Sequence, residues 1–152
     1  MRRVQARDFP ILYALDQACF EPGISWSKAE LRYFLKYPGN IGLVAEDGNG
    51  RIAGFAIAGK QLRQGAVLGR LITIDVDPGL RRAGIGHRLL TELEGRLGAI
   101  GASAVLLEVA VNNTVAQEFY LRHGFKGTGR IRGYYLGRID ALVMEKPLHG
   151  GG

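Results

Sequence analysis

The sequence has few of the residues on which metal, redox and membrane proteins depend. Its 152 residues include one cysteine, Cys19, and three histidines scattered along the chain. A single cysteine cannot form an intramolecular disulfide, and the histidines show none of the spacings of a zinc site. The longest uncharged stretch, Leu97 to Leu107, is shorter than the roughly 18 residues that a membrane-spanning helix needs. We therefore expect no metal site and no membrane partner.

The composition is that of a folded globular domain. Hydrophobic residues make up 47% of the chain and charged residues 22%, far from the composition of disordered chains. A chain of this length suits a single domain, which we place at residues 1–148, followed by a flexible tail at residues 149–152. Asp8 and Asp16 interrupt any apolar signal-peptide core, so we expect a cytoplasmic protein.

Basic residues outnumber acidic residues in this chain. There are 20 lysines and arginines against 14 aspartates and glutamates, which gives a formal net charge of +6 at pH 7. This surplus favours an anionic partner, and by itself it does not distinguish a nucleic acid from a phosphorylated cofactor or an acidic protein.

The first half of the chain predicts two helices and an antiparallel meander. Asp8 suits the start of the first helix, and Ser27 with Glu30 has the spacing of a capping box at the start of the second. Trp26 before that cap and Leu31 after it have the spacing of a hydrophobic staple. The predicted elements are a strand at residues 2–6, a helix at 28–37 and strands at 41–46, 51–59 and 68–76.

The second half predicts one βαβ unit, then a helix and two strands. The unit consists of a strand ending at Val76, a loop, a helix with an apolar stripe from Ile85 to Leu97, and an apolar strand at residues 104–111. Gly124 suits a left-handed cap at the end of the following helix. The remaining predicted elements are a helix at residues 114–123 and strands at 125–136 and 139–145.

A loop rich in arginine and glycine precedes the helix of the βαβ unit. In Arg81-Arg82-Ala83-Gly84-Ile85-Gly86 the glycines let an anion approach the free backbone N–H groups of a helix start. The arginines, with His87 and Arg88, add positive charge. The alternative is a solvated basic turn that only needs glycine flexibility. A Walker loop would need Gly-Lys-Ser/Thr, and a Rossmann fingerprint would need glycine where Leu89 stands.

Two motifs stand on either side of a βα unit. The first is Asp77-Pro78 followed by the string from Arg81 to Gly86, and the second places Asn113, Ala116, Tyr120 and Gly124-Phe125 in an N-x-x-A-x-x-x-Y-x-x-x-G-F pattern on a helix. Together they resemble the acetyl-coenzyme A (acetyl-CoA) loop and the following helix of the GNAT acyltransferase superfamily.

Shorter motifs are Leu107-Glu108-Val109, Trp26-Ser27, and the pair Tyr134-Tyr135 followed by Asp140-Ala141-Leu142-Val143-Met144. They resemble motifs of the RimI-type protein N-terminal acetyltransferases within that superfamily. The segment between the tyrosine pair and Asp140 is shorter than in typical RimI-type proteins, and it belongs to the hairpin that would border the acceptor.

The resemblance implies a mixed α/β fold, in which helices flank a central mixed sheet with a splayed pair of parallel strands. It also implies acetyl-CoA as co-substrate and a protein N-terminal α-amine as acceptor, such as that of a ribosomal protein beginning with alanine. The implied cofactor-binding residues are Ile74, Val76, Arg81, Arg82, Ala83, Gly84, Ile85, Gly86, His87 and Asn113. The implied acceptor-binding residues are Trp26, Tyr134 and Tyr135.

Glu108 and Tyr120 are the candidate catalytic residues. Glu108 interrupts an apolar strand, where a carboxylate is costly to bury unless it has a role or a partner, so we expect a general base. Tyr120 taken alone is typical of a core residue, and the resemblance implies a general acid near the thioester sulfur. Asn113 has two interpretations, a helix cap and a contact with the cofactor. Trp26 likewise suits either a helix staple or the acceptor groove.

Other functions fit parts of the same sequence. A lysine ε-amine or a small-molecule amine can replace the N-terminus as acceptor. A non-catalytic module would sense acyl-CoA or dock on RNA, and would not need Glu108 or Tyr120. RNA docking calls for aromatic residues interleaved with basic ones. Only Tyr134-Tyr135 near Arg130, Arg132 and Arg138 meets that condition, so the sequence disfavours nucleic acid.

Overall fold

A computed structural model describes residues 1–21 and 24–148, without the side chain of Arg82. The predicted tail at residues 149–152 lies outside this part of the chain, and the single-domain boundary stays a prediction. Within the described residues, seven strands form one sheet with helices on both faces. The strands are β1 (Arg2–Arg3), β2 (Ile41–Glu46), β3 (Ile52–Arg63), β4 (Ala66–Val76), β5 (Ala104–Ala110), β6 (Lys126–Tyr135) and β7 (Ile139–Pro147). The helices are α1 (Phe9–Cys19), α2 (Lys28–Lys36), α3 (Ile85–Ala99) and α4 (Thr114–Arg122).

The sheet is mixed, and its one parallel pair opens along its length. The strand order is β1-β2-β3-β4-β5-β7-β6, and all neighbours are antiparallel except β4 and β5. The β4–β5 ladder contains Gly69 opposite Val105 and Arg70 opposite Leu106, whereas β4 continues to Val76. The two strands therefore separate beyond Arg70. This confirms the predicted mixed α/β fold with a splayed parallel pair.

Each face of the sheet carries its own apolar core. The predicted stripe of α3 is confirmed, because its apolar side chains are buried in the larger core together with a residue of α4 and one that follows α4. These residues are Ile85, Leu89, Leu90, Leu93, Leu97, Tyr120 and Phe125. The smaller core packs α1 and α2 against the opposite face through Leu12, Leu31, Val44, Phe55 and Ile57. Burying a leucine or isoleucine side chain contributes about 1.5–3 kcal/mol, so this packing fixes the helices on the sheet.

The sequence predicted the cap of α2 correctly and the cap of α1 wrongly. The capping box of α2 is confirmed: the Glu30 amide donates to Ser27 Oγ at 3.1 Å and the Ser27 amide donates to Glu30 Oε1 at 3.0 Å. The capping prediction for Asp8 is wrong. Its buried carboxylate makes no cap hydrogen bond to α1 and instead accepts from Arg2 and from the amide of Gln5. The Arg2 hydrogen bonds lower the pKa of Asp8, so a charged pair ties β1 to the start of α1.

The hairpin of β3 and β4 is longer than the sequence predicted. β3 runs to Arg63 because its pairing with β4 continues to Ala66, across a turn at Gln64 and Gly65. Both turn residues have positive φ, at 51° and 82°, as a two-residue hairpin requires. A β-bulge between Ile57 and Ala58 shifts the β3–β4 register. No helix of the described chain is long and apolar enough to cross a membrane.

Candidate active site

The opening between β4 and β5 exposes backbone donors. The Asp77 amide, directly after β4, donates to the Ala53 carbonyl of β3 at 2.8 Å. Because N–H directions alternate along a strand, the amides of Val76 and Ile74 point away from β3 and into the opening. Backbone N–H groups in such a gap are suited to polarise a carbonyl oxygen, and Ile74 and Val76 are among the predicted cofactor-binding residues.

The glycine-rich loop ends at the start of α3. Residues Pro78–Ala83 form a 3-10 turn, and Gly84 then adopts a left-handed conformation with φ of 76°. The first intrahelical bond at this end joins the Arg88 amide to the Gly84 carbonyl at 3.1 Å. The amides of Ile85, Gly86 and His87 therefore have no partner within the helix. These free amides lie at the positive end of the helix dipole, where a phosphate group can bind.

Gly84 and Gly86 are needed in this loop for different structural reasons. A Cβ atom added at Gly84 would meet nothing within 4 Å, so its positive φ is the constraint. A Cβ atom added at Gly86 would lie 3.3 Å from the ring of Phe119, so this glycine lets α3 approach α4. Gly84 is exposed and leaves room for an approaching anion, whereas Gly86 is buried against Phe119.

Two side chains of the loop, those of Arg81 and His87, already contact other groups of the protein. Arg81 Nε donates to the Val76 carbonyl at 3.3 Å, which turns this guanidinium back toward β4. His87 Nδ1 lies 3.3 Å from Nε2 of His123, at the end of α4. Burial and then the neighbouring His87 lower the pKa of His123. The Arg82 side chain predicted to bind the cofactor lies outside the described part of the chain.

Glu108 lies on β5 and pairs with a cation that the sequence did not assign to it. Arg70 of β4 donates to Glu108 Oε1 at 3.2 Å and to the Tyr134 hydroxyl at 3.3 Å. The Glu108 side chain is 14% exposed. The sequence predicted an otherwise apolar setting for Glu108, and the structure adds the charged side chain of Arg70 to it. The Arg70 guanidinium gives the Glu108 carboxylate a charged hydrogen-bond partner where β4 and β5 begin to separate.

Two tyrosines complete the surroundings of the opening. Tyr120 of α4 is 8% exposed, and burial, together with the nearby Asp75 and Tyr135, raises the pKa of its phenol. Tyr135 donates from its hydroxyl to the Glu108 carbonyl at 3.3 Å, and burial likewise raises the pKa of Tyr135. The ring of Tyr134 packs edge-on against Tyr135 at 4.9 Å and is 42% exposed. Tyr135 thus lies near both candidate catalytic residues.

Trp26 and Asn113 each had a structural and a functional interpretation, and both adopt the structural role. Trp26 packs its ring edge-on against Phe34 at 4.8 Å in the core that contains Leu31, as a helix staple does. Asn113 caps α4, where its Oδ1 accepts from the Ala116 amide at 3.1 Å. The additional roles of Trp26 toward an acceptor and of Asn113 toward the cofactor stay predictions.

Comparison with known proteins assigns the chain to a family. The model of the acetyltransferase (GNAT) family matches residues 9–125. The chain belongs to the GNAT acetyltransferase family. It is 33% identical over 144 residues to the [ribosomal protein bS18]-alanine N-acetyltransferase of Haemophilus ducreyi, which covers 91% of this chain and 92% of that protein.

Solved GNAT structures share the whole fold. The ribosomal-protein-S18-alanine N-acetyltransferase of Escherichia coli matches with a TM-score of 0.81 and 28% identity, over 99% of this chain and 94% of that one. Arabidopsis thaliana NAA60 in complex with acetyl-CoA matches with a TM-score of 0.84 and 20% identity, over 98% of both chains, and shows the fold alone. The resemblance drawn from the sequence is confirmed, and the chain is a GNAT N-acetyltransferase.

Sequence reasoning missed several polar groups beside this GNAT site. Arg70 was not matched to Glu108, and the buried carboxylates Asp16 and Asp75 were not singled out. The one available signal was that Arg70 and Asp75 are charged residues within an otherwise apolar strand. In residues 1–21 and 24–148, histidine, cysteine, aspartate and glutamate form no group of three that could hold a metal ion.

Proposed function

We propose that this GNAT enzyme transfers the acetyl group of acetyl-CoA to the α-amine of a protein N-terminus, with the N-terminal alanine of a ribosomal protein as the first candidate. The observation that carries the proposal is Glu108 beside the β4–β5 opening, with the buried Tyr120 near the same opening. The Haemophilus and Escherichia relatives, which act on an S18 alanine, support this acceptor. We also propose that the enzyme works in the cytoplasm.

Acetyl-CoA fits the backbone donors on both sides of the 3-10 turn. Its diphosphate would lie beside Gly84 on the free amides of Ile85, Gly86 and His87, with Ala83 and Ile85 shaping the approach and Arg81 and Arg82 supplying charge. Its thioester carbonyl would accept from the amides of Ile74 and Val76. Asn113 would contact the pantetheine arm. NAA60, which has the same fold, was solved in complex with acetyl-CoA, and this supports acetyl-CoA as the co-substrate.

The proposed reaction is a direct transfer with two proton-handling residues. The amine nitrogen attacks the thioester carbonyl carbon, and the carbon–sulfur bond breaks. Glu108 takes the amine proton through a water molecule, and Tyr120 gives its phenolic proton to the departing sulfur. Burial keeps Tyr120 protonated, because the pKa of its phenol lies above the usual value. No group of the enzyme is acetylated along this route.

The acceptor groove favours the end of a chain. Tyr134 and Tyr135 border it on the β6 side and Trp26 on the helical side, with Tyr134 exposed enough to meet a peptide backbone. An α-amine has a pKa of about 7.7–8.0 against about 10.4 for lysine, so lysine needs roughly 3–4 kcal/mol more to become neutral at pH 7. One carboxylate base therefore suffices for an α-amine.

An assay with a peptide that begins with alanine tests this function. We expect one acetyl group on the peptide and one equivalent of free CoA thiol per transfer, with no acetylated enzyme in the intact mass spectrum. An acetyl-enzyme that forms before the product, with burst kinetics, would contradict direct transfer. Absence of peptide acetylation would contradict the assigned acceptor.

A further inference from the structure

Two buried carboxyl groups face each other behind the β4–β5 opening. Asp16 lies on α1 and is 0% exposed, and Asp75 lies on β4 and is 1% exposed. The two side chains are within hydrogen-bonding reach of one another. Two carboxylates this close cannot both carry a charge in a buried setting without a large penalty.

The hydrogen bonds of the pair account for only half of its oxygens. Asp16 Oδ2 accepts from the Trp26 amide at 2.6 Å, and Asp75 Oδ1 accepts from the Thr73 hydroxyl at 2.5 Å. Among the described residues, Asp16 Oδ1 and Asp75 Oδ2 are buried and have no other partner. One proton placed between these two oxygens gives each of them a partner, and it leaves the pair with a single negative charge.

We infer that Asp16 and Asp75 share one proton, and that this bond holds the segment carrying Trp26 against the strand that carries Ile74 and Val76. The positions of the acceptor and the thioester on either side of this pair rest on the proposed function. Trp26 borders the proposed acceptor groove, and Ile74 and Val76 flank Asp75 and face the proposed thioester. The pair acts as positioning residues that set the distance between the two substrates.

The groups packed around the pair are compatible with a single shared charge. Glu30 of α2 adds negative charge near Asp16, and Arg81 adds positive charge near Asp75. The Cys19 thiol of α1 donates to the Val76 carbonyl at 3.4 Å, and burial raises its pKa so that it stays neutral. Tyr120 stays neutral for the same reason. Burial, and for Asp75 also the neighbouring Asp16, raises the pKa of both carboxyl groups.

Infrared spectroscopy of the intact protein at pH 7 tests the shared proton without any substrate. We expect the carbonyl-stretch band of a protonated carboxyl group, shifted in D2O, in the wild type and in the matched control Asp47→Asn. Asp47 is exposed, and backbone hydrogen bonds lower its pKa. The band should vanish in Asp75→Asn and in Asp16→Asn, because an asparagine amide then donates to the remaining carboxylate. A wild type without the band would overturn the inference.

Steady-state kinetics with the alanine peptide tests the positioning role. Asp75→Leu leaves Asp16 Oδ1 buried without a donor, so we expect the peptide KM to rise about tenfold while the acetyl-CoA Kd changes less than twofold. Asp75→Asn retains a donor and should recover most of that loss. Equal peptide KM values for Asp75→Leu and wild type would overturn positioning. If no peptide is acetylated, the proposed function fails, and the infrared band still decides whether the proton is shared.

Discussion

Arg70 makes Glu108 part of a connected set of charges rather than an isolated base. The same guanidinium contacts the Glu108 carboxylate and the Tyr134 hydroxyl, so the proposed base and a proposed acceptor contact share one donor. A bound peptide that moves Tyr134 would therefore also shift the Arg70 guanidinium beside Glu108. This coupling depends on β4 and β5 still being paired at Arg70, the point where they begin to separate.

Removing the carboxylate of Glu108 tests its role as base. We expect Glu108→Gln to lower kcat by roughly 10² to 10⁴, because the amide cannot accept the amine proton. The acetyl-CoA Kd measured by calorimetry should stay within about twofold, since Glu108 is not among the proposed cofactor contacts. The matched control is Glu118→Gln, an exposed position on α4, which should keep the wild-type kcat. Equal kcat in both variants would remove Glu108 from the mechanism.

Tyr120 can be tested by removing a single oxygen. We expect Tyr120→Phe to lower kcat by roughly 10² to 10⁴, because no other phenol is assigned to protonate the departing sulfur. Tyr33→Phe is the control, since Tyr33 is 59% exposed on α2. Steady-state kinetics at saturating acetyl-CoA separates the two variants. A Tyr120→Phe enzyme with wild-type kcat would leave Tyr120 as a core residue, which is what its position alone suggests.

At the scale of elements, the start of α3 couples stability to cofactor binding. We expect Gly84→Ala to lower the free energy of unfolding by about 1–2 kcal/mol, because alanine is strained at a φ of 76°. The same change should weaken acetyl-CoA binding by disturbing the amides at the helix start. Urea denaturation and calorimetry measure the two effects.

A second glycine of α3 provides the matched control. Gly95 lies on the exposed side of the helix, where an added Cβ atom would meet nothing within 4 Å. Gly95→Ala should therefore stabilise the protein by about 0.5–1 kcal/mol and leave acetyl-CoA binding unchanged. If Gly84→Ala proved as stable as Gly95→Ala and bound acetyl-CoA equally well, the assigned role of this helix start would be wrong.

Elements whose signals are local were predictable from the sequence. The Ser27–Glu30 capping box depends on residues three apart, and the left-handed Gly124 depends on its own backbone, so both were read correctly. The full length of β3 was missed because Gln64-Gly65 is not a strong turn sequence and its polar flanks resemble a loop. Asp8 was misread because its partner Arg2 competes with the helix start, a choice that local sequence does not reveal.

At the scale of the whole molecule, the order of motifs was enough to predict the fold but not the pairings across it. Arg70 and Glu108 are 38 residues apart, and His87 and His123 are 36 apart. Such contacts depend on strand register and on how α3 and α4 pack, which single-sequence patterns do not specify. The same holds for Asp16 and Asp75, which meet only because α1 packs across β4.

The central claim is that the enzyme acetylates an α-amine, and a pair of peptides of identical sequence tests it most directly. One peptide has a free N-terminal alanine and blocked lysines, and the other has a blocked N-terminus and free lysines. Each is incubated with enzyme and acetyl-CoA, and the acetylated position is located by tandem mass spectrometry. We predict acetylation of the first peptide at its N-terminus and a kcat/KM at least tenfold lower for the second, because neutralising a lysine at pH 7 costs roughly 3–4 kcal/mol more. Preferential acetylation of the second peptide would contradict the account.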